Sequence, residues 1–143
     1  MKNKIILYIT CLFVVVQTVL SVLIFLNEKT IPLHWNLTGA VDSYGNSSNV
    51  FVLTVINIAS YILLYWLSLH PEICNFPRPF KDRDVAFKNM SSMLRWIELF
   101  LSAIFLYITI GIFFHYMSVY IIYLLVISLI SATVVSIKKL SKS

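Results

Sequence analysis

Four long apolar runs are the dominant pattern along the chain. They cover residues 5–26, 50–69, 97–114 and 118–137. At about 1.5 Å per residue, the first run makes a helix of about 33 Å, enough for a hydrocarbon core of about 30 Å. The pattern predicts one membrane domain over 1–143, an all-α integral membrane protein built as a four-helix bundle.

The loops between these runs differ in length and character. Residues 115–117 are too few to do more than turn the chain, so the last two helices should be antiparallel neighbours. The loop at 27–49 is expected to be structured and extracellular, and the loop at 70–96 to be cytoplasmic.

The 70–96 loop divides into a proline-rich part and a helical part. Pro71 and Pro77 favour turns, and Asn75 is predicted to hydrogen-bond backbone groups there. Asp82 is a good N-cap for a surface helix that continues into the third span, because apolar positions follow it at helical spacing.

Composition supports a membrane location, and the distribution of charge indicates how the chain is oriented across the membrane. The chain is 59% hydrophobic and 12% charged, with a net charge of +5. With four spans, ten of the eleven Lys and Arg fall on the side of the two termini, and only Lys29 falls opposite. By the positive-inside rule both termini are cytoplasmic, so the basic charge reflects topology and the bilayer rather than nucleic acid. Two cysteines, Cys11 and Cys74, make no disulfide framework.

Polar residues inside the apolar runs fall on one face of each helix. These faces carry Thr10, Gln17 and Ser21 in the first run, Thr54, Asn57, Tyr61 and Ser68 in the second, and Glu98, Ser102 and Thr109 in the third. A polar group facing lipid is unsatisfied, so the stripes are predicted to face one another and to hydrogen-bond across the bundle. The alternative is a substrate or ion path.

Glu98 is the single acidic residue within the spans. It lies one turn from the predicted cytoplasmic end and three residues after Arg95, which favours a local Arg95–Glu98 pair. A proton or ligand role is the alternative.

The 27–49 loop has the composition of a folded cap. Pro32 stiffens its entry, Gly39 and Gly45 permit turns with positive φ, and Asp42 and Asn46 are able to close turns on their own backbone.

This cap also carries the candidate ligand-binding residues. Trp35 and Tyr44 suit a membrane interface, and His34 is expected to hydrogen-bond Asp42 or Asn36. His34, Asn36 and Asp42 are either turn-builders or ligands for a metal or substrate. One His with one carboxylate is a weak metal signal, since zinc sites normally need three or four ligands.

No catalytic motif is present in the sequence. It lacks a phosphate-binding glycine loop, Cys-x-x-Cys, His-Glu-x-x-His and Gly-x-Ser-x-Gly. A non-enzymatic protein without a cofactor is therefore expected.

Two motifs resemble a bacterial membrane family. Ile31-Pro32-Leu33-His34-Trp35-Asn36, followed by Gly39, Asp42 and Gly45, is similar to the domain of unknown function that opens proteins of the SdpI family. His70-Pro71 and Asn75-Phe76-Pro77 resemble that family's His-Pro and Asn-x-Pro stretch ahead of the third span. The family is named for an immunity protein against a secreted peptide toxin, and this chain is similar to a short member of it.

The resemblance implies a protein of the bacterial cytoplasmic membrane with an immunity or signalling role. Its outer loop would meet a secreted peptide toxin or another envelope ligand, and its inner face would meet a partner such as a cytoplasmic repressor. The alternative is a small transporter or a metal-dependent membrane enzyme that uses His34 and Asp42, or Glu98. The oligomeric state stays open.

Overall fold

The computed structural model describes residues 2–74 and 81–141, and it is mainly helical. Its helices are α1 (Lys2–Asn27), α2 (Val50–Leu69), α3 (Arg83–Phe114) and α4 (Val119–Leu140). By length and composition, all four are able to cross a membrane, which confirms that part of the sequence prediction. The predictions for Asn75 and Pro77 concern positions outside the described residues.

The start of α3 is fixed by a side-chain cap. The Asp82 Oδ1 oxygen accepts hydrogen bonds from the backbone N–H groups of Asp84 and Val85, at 3.0 and 3.1 Å. These bonds satisfy amides that have no partner in the first turn, and they confirm Asp82 as the N-cap. Pro71 follows α2 and opens a short 3-10 turn, Pro71–Ile73.

The length of α3 separates it into two parts. Its 32 residues make about 48 Å of helix, well beyond a hydrocarbon core of about 30 Å. The first part buries Ala86, Met90 and Leu94 against Leu140 of α4. The third span and the surface helix are therefore one continuous element.

The bundle is centred on α3, which packs against each of the other three helices. Helices α1 and α2 also pack against one another, whereas α4 packs chiefly on α3. In α4, Leu140 is the single buried residue among those described. Helices α1, α2 and α3 thus surround a common interior, and α4 lies at the edge of the bundle against α3. The predicted four-helix bundle is therefore asymmetric.

The polar stripes of α1, α2 and α3 meet in that interior. The Thr54 hydroxyl donates to Ser21 Oγ at 2.8 Å, Asn57 Nδ2 donates to Gln17 Oε1, and Ser102 Oγ donates to Asn57 Oδ1 at 2.9 Å. The prediction that the stripes hydrogen-bond across the bundle is confirmed for these residues. Thr10, Ser68 and Thr109 are buried too, but their hydroxyls bond carbonyls of their own helices.

The loop between α1 and α2 forms a β hairpin. Its antiparallel strands are β1 (Thr30–Trp35) and β2 (Val41–Asn46), with register irregularities on either side of His34. The prediction of an all-α protein is therefore wrong for this loop, which contains two β-strands. Pro32 and the β-branched residues near it favour extended backbone over helix. Ile31 is buried against Ile24, Val50 and Ile112, so the hairpin covers one end of the bundle, here called the hairpin end.

The two loop glycines serve different needs. Gly39 has φ +84, the left-handed region expected of it, and a Cβ there would lie 2.5 Å from the Met117 carbonyl oxygen. Gly45 has no positive φ, contrary to the sequence prediction. A Cβ at this position in β2 would overlap the end of the Leu33 side chain, which would have to shift.

Candidate functional site

An exposed imidazole–carboxylate pair joins the two strands of the hairpin. His34 Nδ1 lies 2.6 Å from Asp42 Oδ1, and the side chains are 68% and 44% exposed. The predicted contact between His34 and Asp42 is confirmed. A carboxylate on one ring nitrogen fixes the orientation of the imidazole and leaves Nε2 as its second polar atom.

A cavity of about 590 Å³ lies between the hairpin and the helices, and His34 is one of its lining residues whereas Asp42 is not. Its wall is mainly apolar, and the lining residues with polar side-chain atoms include His34, Trp35 and Asn49. The apolar part comes from Ile31, Pro32, Leu33, Val52, Leu53, Ile108, Ile112, Met117 and Ile122. An apolar wall with a few polar groups is typical of ligand pockets, whose volumes are about 300–1,000 Å³.

Trp35 and Tyr44 occupy different environments, although both were expected at an interface. Trp35 packs against the apolar cluster at the hairpin end, and its buried Nε1 has no hydrogen-bond partner. An unpaired buried N–H costs about 1–3 kcal/mol, so this side chain carries an energetic cost at the hairpin end. Tyr44 is 60% exposed on the hairpin surface, as an interfacial residue would be.

Asn36 builds the turn of the hairpin. Its Oδ1 oxygen accepts hydrogen bonds from Thr38 N and Oγ1 and from Ala40 N, at 2.9, 2.7 and 3.0 Å. Asn46 does the same for Ser48 N at 2.9 Å, as predicted, whereas Asp42 bonds His34 instead. Of the three candidate ligands, then, two converge and Asn36 is structural.

No group of three or more His, Cys, Asp or Glu side chains that could hold a metal occurs within residues 2–74 and 81–141. The His34–Asp42 pair supplies two ligands at most, fewer than a zinc site normally requires.

Sequence analysis missed a second imidazole–carboxylate contact at the hairpin end. His115 Nε2 lies 3.7 Å from Glu28 Oε1, so the end of α1 contacts the turn between α3 and α4. His115 ends α3 with φ 53, the one positive φ outside glycine in the described chain. The two residues are 87 positions apart, and no local pattern marks them.

The third histidine forms the same kind of contact at the opposite end. His70 Nδ1 lies 3.1 Å from Glu72 Oε1. A hydrogen bond from the Glu72 backbone lowers the pKa of this carboxyl group, and His70 lowers it further. Both side chains are exposed, so the contact contributes little stability.

Glu98 lies inside the bundle without the predicted partner. It is 2% exposed, and its Oε1 atom has no hydrogen-bond partner. The predicted Arg95–Glu98 pair does not form as a direct ion pair: the Arg95 guanidinium lies over the Tyr65 ring, 5.5 Å from its centroid, and its charge acts on Glu98 from a longer distance. An Arg–aromatic contact keeps the guanidinium near the helix surface, while Glu98 faces the interior polar stripe.

No family model, curated protein or solved structure matches the chain. The fold and the site define the protein at the level of class. It is a mainly helical protein with helices long and apolar enough to cross a membrane, and a β hairpin covers an apolar cavity at one end of its bundle.

Proposed function

We propose that the protein is a multi-pass protein of the bacterial cytoplasmic membrane, with both termini inside and the hairpin outside. The exposed surfaces of the helices support insertion, since large apolar side chains such as Leu12, Val19, Ile62 and Leu124 point away from the bundle. Such surfaces are stable against lipid and unfavourable in water. The ten-to-one distribution of Lys and Arg supports the orientation.

Its function in this proposal is non-enzymatic binding of an envelope-acting peptide or related ligand, in an immunity or signalling role. The observation that carries the proposal is the position of His34 at the edge of the 590 Å³ apolar cavity, held by Asp42. Apolar ligand groups would enter the cavity. The exposed imidazole would meet a polar group of the same ligand.

The resemblance to the SdpI family supports the same function. Its outer motif, from Ile31 to Gly45, coincides with the hairpin, the imidazole–carboxylate pair and one wall of the cavity. A secreted peptide toxin is accordingly the ligand we favour. A repressor is the partner proposed for the cytoplasmic face.

A challenge experiment with matched variants tests this function. Cells lacking the protein are exposed to the peptide fraction secreted by their own late cultures, and growth is compared after complementation. We expect wild type to restore growth, and His34→Ala and Asp42→Asn to fail at equal membrane abundance. Ser43→Ala is the control, because Ser43 is an exposed neighbour on β2 outside the cavity wall. Full protection by both site variants would contradict the proposal.

A small transporter is the second candidate function. The buried Glu98 oxygen without a partner favours it, because an intramembrane carboxyl group is energetically costly and such groups mark ion or proton paths in membrane proteins. Glu98→Gln distinguishes the two. Loss of protection in Glu98→Gln together with full protection in His34→Ala would favour transport.

A further inference from the structure

The polar network inside the bundle lies next to an acidic group that has no hydrogen-bond partner. In this network Ser102 donates to Asn57, and Asn57 donates to Gln17, which links α3, α2 and α1. Within the described part of the chain, two buried atoms of these interior residues lack a hydrogen bond, Gln17 Nε2 and Glu98 Oε1. The amide nitrogen is a donor only, whereas the carboxyl oxygen is an acceptor that is able to take up a proton.

Burial makes a negative charge on Glu98 unfavourable. Its side chain is 2% exposed, whereas every other Asp and Glu of the chain is exposed. A carboxylate removed from water is costly unless a cation and further hydrogen bonds compensate it. The ion pairs formed within residues 2–74 and 81–141 involve the three histidines, and none of them includes Glu98.

The titratable groups around Glu98 do not supply this compensation. Arg95 lies three residues earlier on α3, but its guanidinium lies over the Tyr65 ring and acts on Glu98 only from a longer distance. Tyr61 of α2 interacts electrostatically with Glu98 and with Cys11 of α1, and neither a phenol nor a thiol is a cation. The titratable residues of α4 lie near its two ends and are Tyr120, Tyr123, Lys138 and Lys139.

The hydrogen bond of Ser102 also favours a neutral carboxyl group. Ser102 is four residues after Glu98 and is buried like it, and side chains at this spacing are neighbours on a helix. Its hydroxyl has a single hydrogen, which it donates to Asn57 Oδ1. A Glu98 carboxylate would therefore compete with Asn57 for that hydrogen. A protonated carboxyl group would instead donate to the Ser102 oxygen, which keeps its capacity to accept.

We infer that Glu98 is a binding site for one proton, and that the bound proton is donated to Ser102 Oγ. Uptake of the proton from water neutralises the carboxylate and turns Oε1 from an acceptor into a donor. The hydrogen bonds then run in one direction from Glu98 through Ser102 and Asn57 to Gln17. A bound proton needs neither a path across the bundle nor a ligand in the hairpin cavity, so the inference rests on neither candidate function.

Infrared spectroscopy of the full chain detects this proton directly. Micelles of dodecyl maltoside are used because this detergent has no carbonyl group that would hide the C=O band of a carboxylic acid. Exposed carboxyl groups are ionised at pH 7 and give no such band. We expect wild type at pH 7 to show one carboxylic acid band, which moves to lower frequency in D2O, and Glu98→Gln to lose it. Absence of the band from wild type at pH 7 would overturn the proton site.

Asp84→Asn is the matched control for Glu98→Gln, because Asp84 is an exposed acid on the same helix. It should leave the band unchanged. A band that persists in Glu98→Gln, or that disappears in Asp84→Asn, would overturn the assignment to Glu98.

A second pair of variants tests the donation to Ser102. Ser102→Ala should move the band to higher frequency, because the acid loses the acceptor of its O–H group. Thr109→Val should not, because the Thr109 hydroxyl bonds only Phe105 of its own helix. The shift in Ser102→Ala also identifies the acid if Glu98→Gln does not fold, as judged by its helix signal. An unchanged frequency in Ser102→Ala would overturn the donation to Ser102.

Discussion

Asn57→Ala should be among the most destabilising substitutions within the membrane part of the chain. The Asn57 amide is the link between three helices, since it donates to Gln17 Oε1 of α1 and accepts from Ser102 Oγ of α3. It is 1% exposed, so water cannot replace these bonds. Alanine removes both bonds, which takes away the donor to Gln17 Oε1 and the acceptor of the Ser102 hydroxyl.

The magnitude follows from the number of bonds lost. Hydrogen bonds between membrane helices average about 0.6 kcal/mol and reach about 1.7 kcal/mol. Two such bonds give an expected loss of about 1–3 kcal/mol in the free energy of unfolding. The Ser102 hydroxyl is able to turn to a carbonyl of its own helix, which keeps the loss below the cost of a stranded donor.

The assay is reversible unfolding in mixed micelles by increasing denaturing detergent, followed by helix signal. A double-mutant cycle of Asn57→Ala and Ser102→Ala should give a coupling of about 0.6–1.7 kcal/mol. Thr109→Val is the control, because Thr109 is equally buried but its hydroxyl bonds only Phe105 of its own helix. Its expected effect is below about 0.5 kcal/mol. Zero coupling, or a control effect as large as that of Asn57→Ala, would refute the reasoning.

Two further substitutions test the hairpin turn and the start of α3. Gly39→Ala should lower the free energy of unfolding by about 1–2 kcal/mol because φ at this position is +84, and by more because the new methyl group approaches the Met117 carbonyl oxygen. Hydrogen exchange of the hairpin amides should accelerate. Unchanged exchange would contradict the expected strain. Asp82→Ala should lower the free energy of unfolding by about 1 kcal/mol through loss of the cap, whereas Asp82→Asn, which keeps an acceptor oxygen, should lose less; equal losses would contradict capping.

The helices could be predicted from sequence because each depends on a local property. An uninterrupted apolar run marks a helix whether or not its neighbours are known, and Asp82 caps the first turn through its own oxygen. The contact between the polar faces of Gln17 on α1 and Asn57 on α2 was also predictable. A polar side chain on an apolar helix finds hydrogen-bond partners on other helices and not in lipid.

The remaining features depend on contacts between distant parts of the chain. Strand β1 was hidden because Pro32 and the short alternation around it indicate a turn as readily as a strand. Glu28 and His115 meet only once the bundle has formed. Arg95 was predicted to pair with Glu98, but its guanidinium lies over the ring of Tyr65 on another helix. No local sequence pattern indicates this contact.

Accessibility of two single cysteines in intact cells tests the orientation most directly. Cys11 and Cys74 are replaced by serine, and a cysteine is introduced at Ser48 or Ser141, both exposed and at opposite ends of the bundle. The account predicts that a membrane-impermeant maleimide labels Ser48→Cys in intact cells and Ser141→Cys only after permeabilisation. Labelling of Ser141→Cys in intact cells, with Ser48→Cys protected, would contradict the proposed orientation and with it the outer position of the hairpin.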